Sequence, residues 1–485
     1  MPLTPTALRE GINRVAPSVL EATSAPGALV TVGVKGQPLL TLPFGVADVS
    51  TGAPLTVDHT MRLGSLGKLL VSAAVVKLAD AGRLQLDEPI DTHLPFPVTN
   101  PKGGTITLTK ALAMLTGAAT DGYEWTGTPE PAGEYVKREL ARDATWEYGT
   151  GASRFVDSAD TGQWRSSSFM YQVAPLVAEA VTGMPLGHYA KAEIFDPLGM
   201  HDTAWWDSPN WAAVRERCTT GHMLFGQHAT PLPWMECAPY HSVGVVMTTS
   251  DFTKLMLALM SRGGVFGDNV VHTILEPRTT ARSDVNVGLG VHTVGNPDAK
   301  DYCIRAVGHY AFGWWAVSLG YPNADTPFCV TVCTNLADQT DVFNPPEQYP
   351  FGILAYEIAS WIRDGKVDSR GLGDRSGSES YVMGLVAADR FAGLMGADLR
   401  KEEIDAMADG TRPLGRRPAV DFDRDLFVQG FLDMRAAVRD RRVEEFLATD
   451  CPVGGVFRKL ARKAWGSKNF DEPAPVRFWL HQLER

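Results

Sequence analysis

Cysteine is scarce and scattered in this chain of 485 residues. There are six: Cys218, Cys237, Cys303, Cys329, Cys333 and Cys451. None forms a Cys-x-x-Cys pair, so neither a zinc framework nor a disulfide scaffold follows from the spacing. Long apolar runs are missing too. No stretch approaches about eighteen uncharged apolar residues, and no membrane span is expected. Residues 1–22 carry Arg9, Glu10, Arg14 and Glu21 among their apolar positions, unlike the apolar core of a signal peptide. The expectation is a cytoplasmic protein with reduced thiols. Positive charge is also in deficit: 45 Lys plus Arg stand against 56 Asp plus Glu, a formal charge of −11. Without a basic stripe, nucleic acid is not an expected partner.

Several catalytic signatures are absent as well. Eleven histidines include no His-Glu-x-x-His pair, and Gly67-Lys68 is followed by Leu69, which breaks a phosphate-binding loop. Leu63 stands where a Gly-x-Ser-x-Gly elbow around Ser65 needs its first glycine. Nothing here calls for a metal or another cofactor.

What is present is ordinary globular material, 44% hydrophobic and 21% charged, in a length suited to two domains. The patterning predicts a helix over about 8–22, then strands over 27–34 and 38–47 across the turn Lys35-Gly36-Gln37. Helices are predicted over 65–80, 169–180 and 187–195, with Gly82 and Gly183 at C-terminal cap positions. Thr249-Ser250-Asp251 is expected to cap a helix over 252–260. Strands are expected at 288–294, 314–319 and 328–334, followed by a helix over 353–362. Residues 364–380 have four glycines and four serines among charges, which is linker chemistry. Phe427, Phe431, Met434 and Val438 share one helical face, so 381–485 reads as a separate helical module of unknown role. The fold class is α/β or α+β, with an antiparallel sheet.

The one chemically suggestive pattern is Ser65-Leu66-Gly67-Lys68 at a helix start. Three residues along a helix bring two side chains onto one face, so an amine held neutral by burial can take the serine proton. The helix N-terminus offers a backbone N–H to a developing oxyanion. Roughly one Ser-x-x-Lys is expected by chance in a chain of this composition. Taken alone, a helix-capping serine with a solvated lysine is the better account.

The surroundings change that balance. Arg62-Leu63-Gly64-Ser65, an Ala/Val/Leu helix and then Gly82-Arg83-Leu84-Gln85-Leu86-Asp87-Glu88-Pro89-Ile90 resemble the serine β-lactamase and penicillin-binding-protein superfamily. The closest wording is that of the class C-like esterases, D-amino-acid peptidases and transacylases. Ile106-Thr107-Leu108 (matching a family strand), Val181-Thr182-Gly183, Ile194 to Thr203, Val243 to Asp251 and Gly288-Leu289-Gly290 appear in the family's order. The resemblance covers about residues 8–363. It implies an antiparallel sheet covered by helices, an all-helical lobe, and an active site between them, within a domain over 1–363.

The resemblance implies a tyrosine working with Lys68, and here the chain departs from the pattern. Trp146-Glu147-Tyr148-Gly149-Thr150-Gly151 is similar to the motif but lies about eighteen residues early. Ser166-Ser167-Ser168 occupy the usual distance. Either Tyr148 is catalytic and 151–165 is an inserted loop, or the slot has gone to serines. The loop's Phe155 and Trp164 suit a cover with an apolar underside. Val307-Gly308-His309-Tyr310-Ala311-Phe312-Gly313 resembles the third motif in its His form, with Ala311 replacing a glycine. By that likeness His309 binds substrate and the Phe312 N–H joins that of Ser65 in an oxyanion hole. Trp314 and Trp315 alternate on the strand; one lines an acyl pocket while the other packs on a helix, or both are sheet core.

The implied activity is two-step acyl transfer through Ser65, Lys68 and Tyr148. The donor is a small-molecule ester or amide, and the acceptor is water or an amine or alcohol. An intracellular transacylase or esterase, of the kind found in secondary metabolism, fits the absent export signal. The alternative is a catalytically impaired binding or scaffold protein that keeps the fold.

Overall fold

The computed structural model describes residues 3–118, 125–126, 131–142, 155–165, 167–225, 228–234, 236–237, 240–261, 263–282, 285–310, 313–337 and 350–367. Tyr148, Ser166, Ala311, Phe312 and the helical module proposed for 381–485 lie outside these residues, as does all of the 364–380 linker beyond 367.

An antiparallel sheet of nine strands forms the centre. In chain order its strands are β1 (Gly27–Val34), β2 (Leu40–Asp48), β3 (Ala53–Pro54), β4 (Thr279–Arg282), β5 (Val285–Val287), β6 (His292–Val294), β7 (Cys303–Tyr310), β8 (Trp314–Tyr321) and β9 (Phe328–Thr334). Their spatial order is β4-β5-β6-β7-β8-β9-β1-β2-β3. The register puts Val30 opposite both Val332 and Leu42, and Gly308 opposite Ala316. Period-two alternation splits each central strand between two cores. Val30, Val317, Val330 and Trp315 face one side; Leu29, Ala316, Cys329 and Trp314 face the other.

Two helices cover the first face: α1 (Pro5–Thr23), near the start, and Pro350–Asp364, which ends the described part. Leu8, Ile12, Val15 and Val19 form the stripe that α1 buries there. The second face carries α2 (Gly67–Asp80), α3 (Met170–Thr182), α4 (Tyr240–Val243) and α5 (Thr249–Met260). Leu69 to Ala74 are apolar or small and almost wholly buried, so α2 is packed on all sides. That is why its sequence shows no polar stripe. Gly82 (φ +69°) and Gly183 (φ +74°) adopt the left-handed geometry that closes α2 and α3, as their positions predicted.

Between the sheet and α5 runs a ladder of hydroxyls. Thr31 meets Thr249 at 2.7 Å, Thr41 meets Ser250 at 2.9 Å, and Thr331 meets Thr253 at 2.7 Å and Ser318 at 2.8 Å. Each hydroxyl sits where alternation would place an apolar side chain, and each is satisfied by another.

Local structure differs from the sequence expectations in three places. The α5 cap is Thr248, whose side chain accepts from the Asp251 N–H, rather than Thr249-Ser250-Asp251. Only His292–Val294 of the 288–294 run is strand, because Gly290 turns at φ +76°. Ile106-Thr107-Leu108 yields one bridge, Thr107 to Pro89, before Thr107 caps the short helix Leu108–Leu112.

One close approach fixes the chain ahead of α2 against β7. A Cβ on Gly308 would lie 1.7 Å from the Leu63 carbonyl oxygen, whereas one on Gly36 would meet nothing within 4 Å. Gly308→Ala is therefore expected to cost about 3 kcal/mol or more. Gly36→Ala should cost about 1 kcal/mol, through its positive φ alone. Urea midpoints of the two variants check this, and equal losses would contradict it.

Candidate active site

Leu63 leads into a single 3₁₀ turn, Gly64–Leu66, which runs directly into α2. Gly64 stands at φ +56°, a left-handed conformation that glycine adopts without steric cost and that bends the chain sharply before Ser65. Three glycines then let backbone crowd the turn from different sides. Gly308 admits the Leu63 carbonyl to β7. A Cβ on Gly67 would lie 3.0 Å from the His241 carbonyl, and one on Gly290 would lie 2.6 Å from the Lys68 carbonyl. β6 pairs with β7 only at residues 303–305, and the turn packs over the face of β7 at Gly308, beyond that pairing.

Within this box Lys68 Nζ donates to Ser65 Oγ at 2.6 Å. Lys68 is 3% exposed, while Ser65 is half-buried. A buried amine and a reachable hydroxyl are thus held in direct hydrogen-bond contact. Burial of an amine works against its charged form.

A tyrosine does lie beneath Lys68, but it is Tyr171 of α3. Its ring centroid is 5.7 Å from Lys68 Nζ, and its hydroxyl donates to the Leu112 carbonyl. Burial pushes the Tyr171 phenol far above its ordinary range, so it keeps its proton. It supplies a ring face to the lysine and no acid or base. Its place on a largely apolar helix carried no signal of that contact.

The remaining residues singled out by sequence are spread around this pair. His309 lies on β7 opposite Trp315, one residue beyond the glycine that packs on the turn. Ser167 and Ser168 are buried. Trp314 and Trp315 are both buried, on opposite faces; Trp314 Nε1 donates to Thr219 Oγ1 at 2.9 Å, and Trp315 joins the core under α1. Phe155 to Arg165 is fastened to the 100–118 region. Phe155 bridges Ala118, the Ala159 N–H donates to Gly103, and Lys110 pairs with Asp160 at 2.8 Å. The described part of the proposed cover is thus anchored to that region.

Cys218, Cys303 and Cys329 are poor competitors as nucleophiles. Burial pushes the Cys218 and Cys303 thiols up to about 12 and Cys329 to about 11. These groups remain protonated and unreactive at neutral pH.

One ion pair beside the site carried no sequence signal, although Arg62 itself belongs to the motif. Arg62, three residues before Ser65, is wholly buried and donates to Glu236 Oε2 at 2.6 Å. Glu236 Oε1 accepts from Trp234 Nε1 at 2.7 Å, and the Arg62 guanidinium lies 3.9 Å from the Trp234 ring centroid. Trp234 in turn meets Trp314 edge-on at 6.3 Å. The ion pair ties the strand entering the nucleophile turn to the aromatic wall at the start of β8. Glu236→Ala should cost about 3–5 kcal/mol, because it leaves a buried guanidinium uncompensated. The double variant Arg62→Met, Glu236→Leu should lose less. Chemical denaturation of both checks the ranking.

Comparison with known proteins accords with this geometry. The family model described as Beta-lactamase matches residues 12–348. Penicillin-binding protein 4 of Amycolatopsis lactamdurans is 28% identical over 247 residues, covering 47% of this chain and 58% of that protein. Esterase EstB of Burkholderia gladioli is 28% identical over 207 residues, covering 41% of this chain and 52% of that protein. The chain thus spans about half the length of these relatives. Among solved structures, a class C beta-lactamase superposes with a TM-score of 0.59 at 15% identity, covering 73% of this chain and 96% of that one. EstCE1, described as a hydrolase with promiscuous acyltransferase activity, superposes with a TM-score of 0.58 at 16% identity, covering 75% and 99%. Those likenesses establish the fold, and the family match across most of the chain shows that it belongs to the Beta-lactamase family.

Proposed function

We propose that the chain is a serine-nucleophile acyl-transfer enzyme acting on a small ester or amide. The observation that carries this reading is the 2.6 Å contact between buried Lys68 and half-exposed Ser65. Lys68 Nζ takes the Ser65 proton as Oγ bonds to the acyl carbon. The carbonyl π electrons move onto oxygen, where the Ser65 N–H stabilises them. By family likeness the Phe312 N–H is the second donor. Collapse of the intermediate expels the alcohol or amine, which leaves with a proton, and the acyl group remains on Ser65. Water or a second alcohol or amine then attacks the acyl-enzyme and regenerates the hydroxyl.

Tyr148 is the proposed third member, passing the proton between Lys68 and the leaving group. A catalytically impaired binding protein is the second reading, favoured by the buried Ser167 and Ser168 at the family's tyrosine position. Incubation with an activated ester or a fluorophosphonate, followed by intact-mass measurement, separates the two. One adduct is expected, on Ser65, and none in Ser65→Ala. Lys68→Arg should lower kcat/KM by at least about a hundredfold, since guanidinium stays protonated. Tyr148→Phe should lower turnover far more than Ser168→Ala. An unlabelled wild-type protein would favour the binding reading, and the reverse ranking would move the second motif to the serines.

Transfer to an amine or alcohol, in competition with water, is the finer part of the proposal. The likeness to EstCE1, described as a hydrolase with promiscuous acyltransferase activity, supports it, and water exclusion is what would let an acceptor win. The ratio of transfer product to free acid should rise with acceptor concentration. A constant ratio across a range of amines and alcohols would make the enzyme a plain esterase or amidase.

A further inference from the structure

A second set of functional-group donors lies behind the helix start that carries Lys68, and no step of acyl transfer uses it. Glu179 of α3, Asp207 and His241 of α4 place two carboxylate oxygens and a ring nitrogen within 4.8 Å of one another. His241 is fully buried and the Asp207 side chain is 9% exposed. His241 Nε2 lies 3.0 Å from Asp207 Oδ2, which also accepts from the Gly187 N–H at 3.1 Å. Glu179 Oε1 accepts from the Leu186 N–H at 3.3 Å. Asp207 Oδ1 is buried and has no hydrogen-bond partner among the described residues. A Cβ on Gly187 would come within 2.4 Å of that oxygen, so glycine there leaves the carboxylate its place.

The cluster is short of positive charge. Among the described residues no lysine or arginine forms an ion pair with Glu179 or Asp207, and the neighbour that both share is His241. Burial pushes the Glu179 carboxyl up, with Asp207 adding to the effect. Burial acts on Asp207 the same way, yet the His241 interaction and the Gly187 N–H hold its carboxyl below the ordinary range. Two carboxylates in so little water need a cation or a shared proton between them.

The geometry points to a divalent-cation site formed by Glu179, Asp207 and His241, with zinc as the fitting ion. One imidazole nitrogen with two carboxylate oxygens suits zinc, whereas magnesium and calcium prefer all-oxygen shells. Zinc–donor distances of about 2.0–2.2 Å require the widest donor separation to close by roughly 1 Å. Glu179, the least buried of the three, has the freedom to make that shift.

Gln172 sets the condition for loading. Its Oε1 accepts from the His241 N–H at 3.3 Å and its Nε2 donates to Nδ1 at 3.0 Å. This keeps the His241 proton on Nε2, pointing at Asp207. Zinc at Nε2 moves that proton to Nδ1, where an acceptor must meet it. A carboxylate at position 172 would serve better than the amide. The bound ion would clamp α3, the loop bearing Asp207, and α4. A Cβ on Gly67 would lie 3.0 and 3.3 Å from the carbonyls of His241 and Ser242, so the clamp backs the nucleophile helix directly.

The test uses the full chain, stripped with a chelator, dialysed, and titrated with zinc by calorimetry. One ion per chain is expected, with a higher melting temperature in zinc and no change in magnesium. Cobalt substitution should give a nitrogen and oxygen spectrum without thiolate charge transfer, which separates this site from the six cysteines. Glu179→Gln, at a partly exposed position, should weaken zinc at least about tenfold, and Gln172→Glu should tighten it about tenfold. Failure to retain zinc would overturn the site. So would equal binding in Glu179→Gln, a thiolate band, or weaker binding in Gln172→Glu. Stabilisation by acid without zinc uptake would assign the missing charge to a proton instead.

Discussion

The packing of the Gly64–Leu66 turn against β7 is the constraint on which the site depends. With the Leu63 carbonyl lying where any side chain at 308 would sit, the turn is held at backbone distance from the strand. Backbone of turn and strand thereby meet directly, an approach that a side chain at 308 would prevent. The same clamp lets α2 begin immediately after Ser65, so Lys68 falls one turn later on the same face. Burying Lys68 while leaving Ser65 reachable requires a helix apolar all round, and α2 is one. The burial of one group and the access to the other are therefore set by one packing arrangement.

Polar groups in the interior follow a consistent rule. The hydroxyl ladder under α5, the Arg62–Glu236–Trp234 cluster and the His241–Asp207–Gln172 cluster each place polar atoms where alternation would have put apolar ones. The ladder is neutral and closes on itself, so its cost is small. The Arg62 pair carries full charges and is stiffened by a ring on the guanidinium. Such pairs specify geometry more than they add stability. Its position three residues before the nucleophile accords with that role. The Glu179 cluster differs in having carboxylates in excess, and this imbalance sets it apart from the other two.

Tyr171 shows how a fold can present the right residue type in the wrong role. Its ring lies beneath Lys68, yet the hydroxyl is committed to a main-chain carbonyl on the far side. A phenol acts as acid or base only where its oxygen reaches the transferring proton. That requirement leaves the second motif to Tyr148 or to the 166–168 serines, the two candidates that motif spacing offers.

What the sequence determined by itself was local. Strands at 27–34 and 328–334, the apolar α2, the glycine closures at 82 and 183, and the Ser65–Lys68 spacing depend on neighbours within a turn or two of chain, and periodicity records such neighbours. Family wording added the order of the elements. Only the tertiary structure decided which side of each contact was filled. Arg62 and Glu236 stand 174 residues apart, Trp234 and Trp314 come from different segments, and Glu179, Asp207 and His241 converge from three. Gly308 could be read as part of a motif, but not as the seat of the Leu63 carbonyl. Such pairings have no period in the chain, because they arise when separate elements bury their faces together. Burial then fixes which polar groups are satisfied and which carry charge.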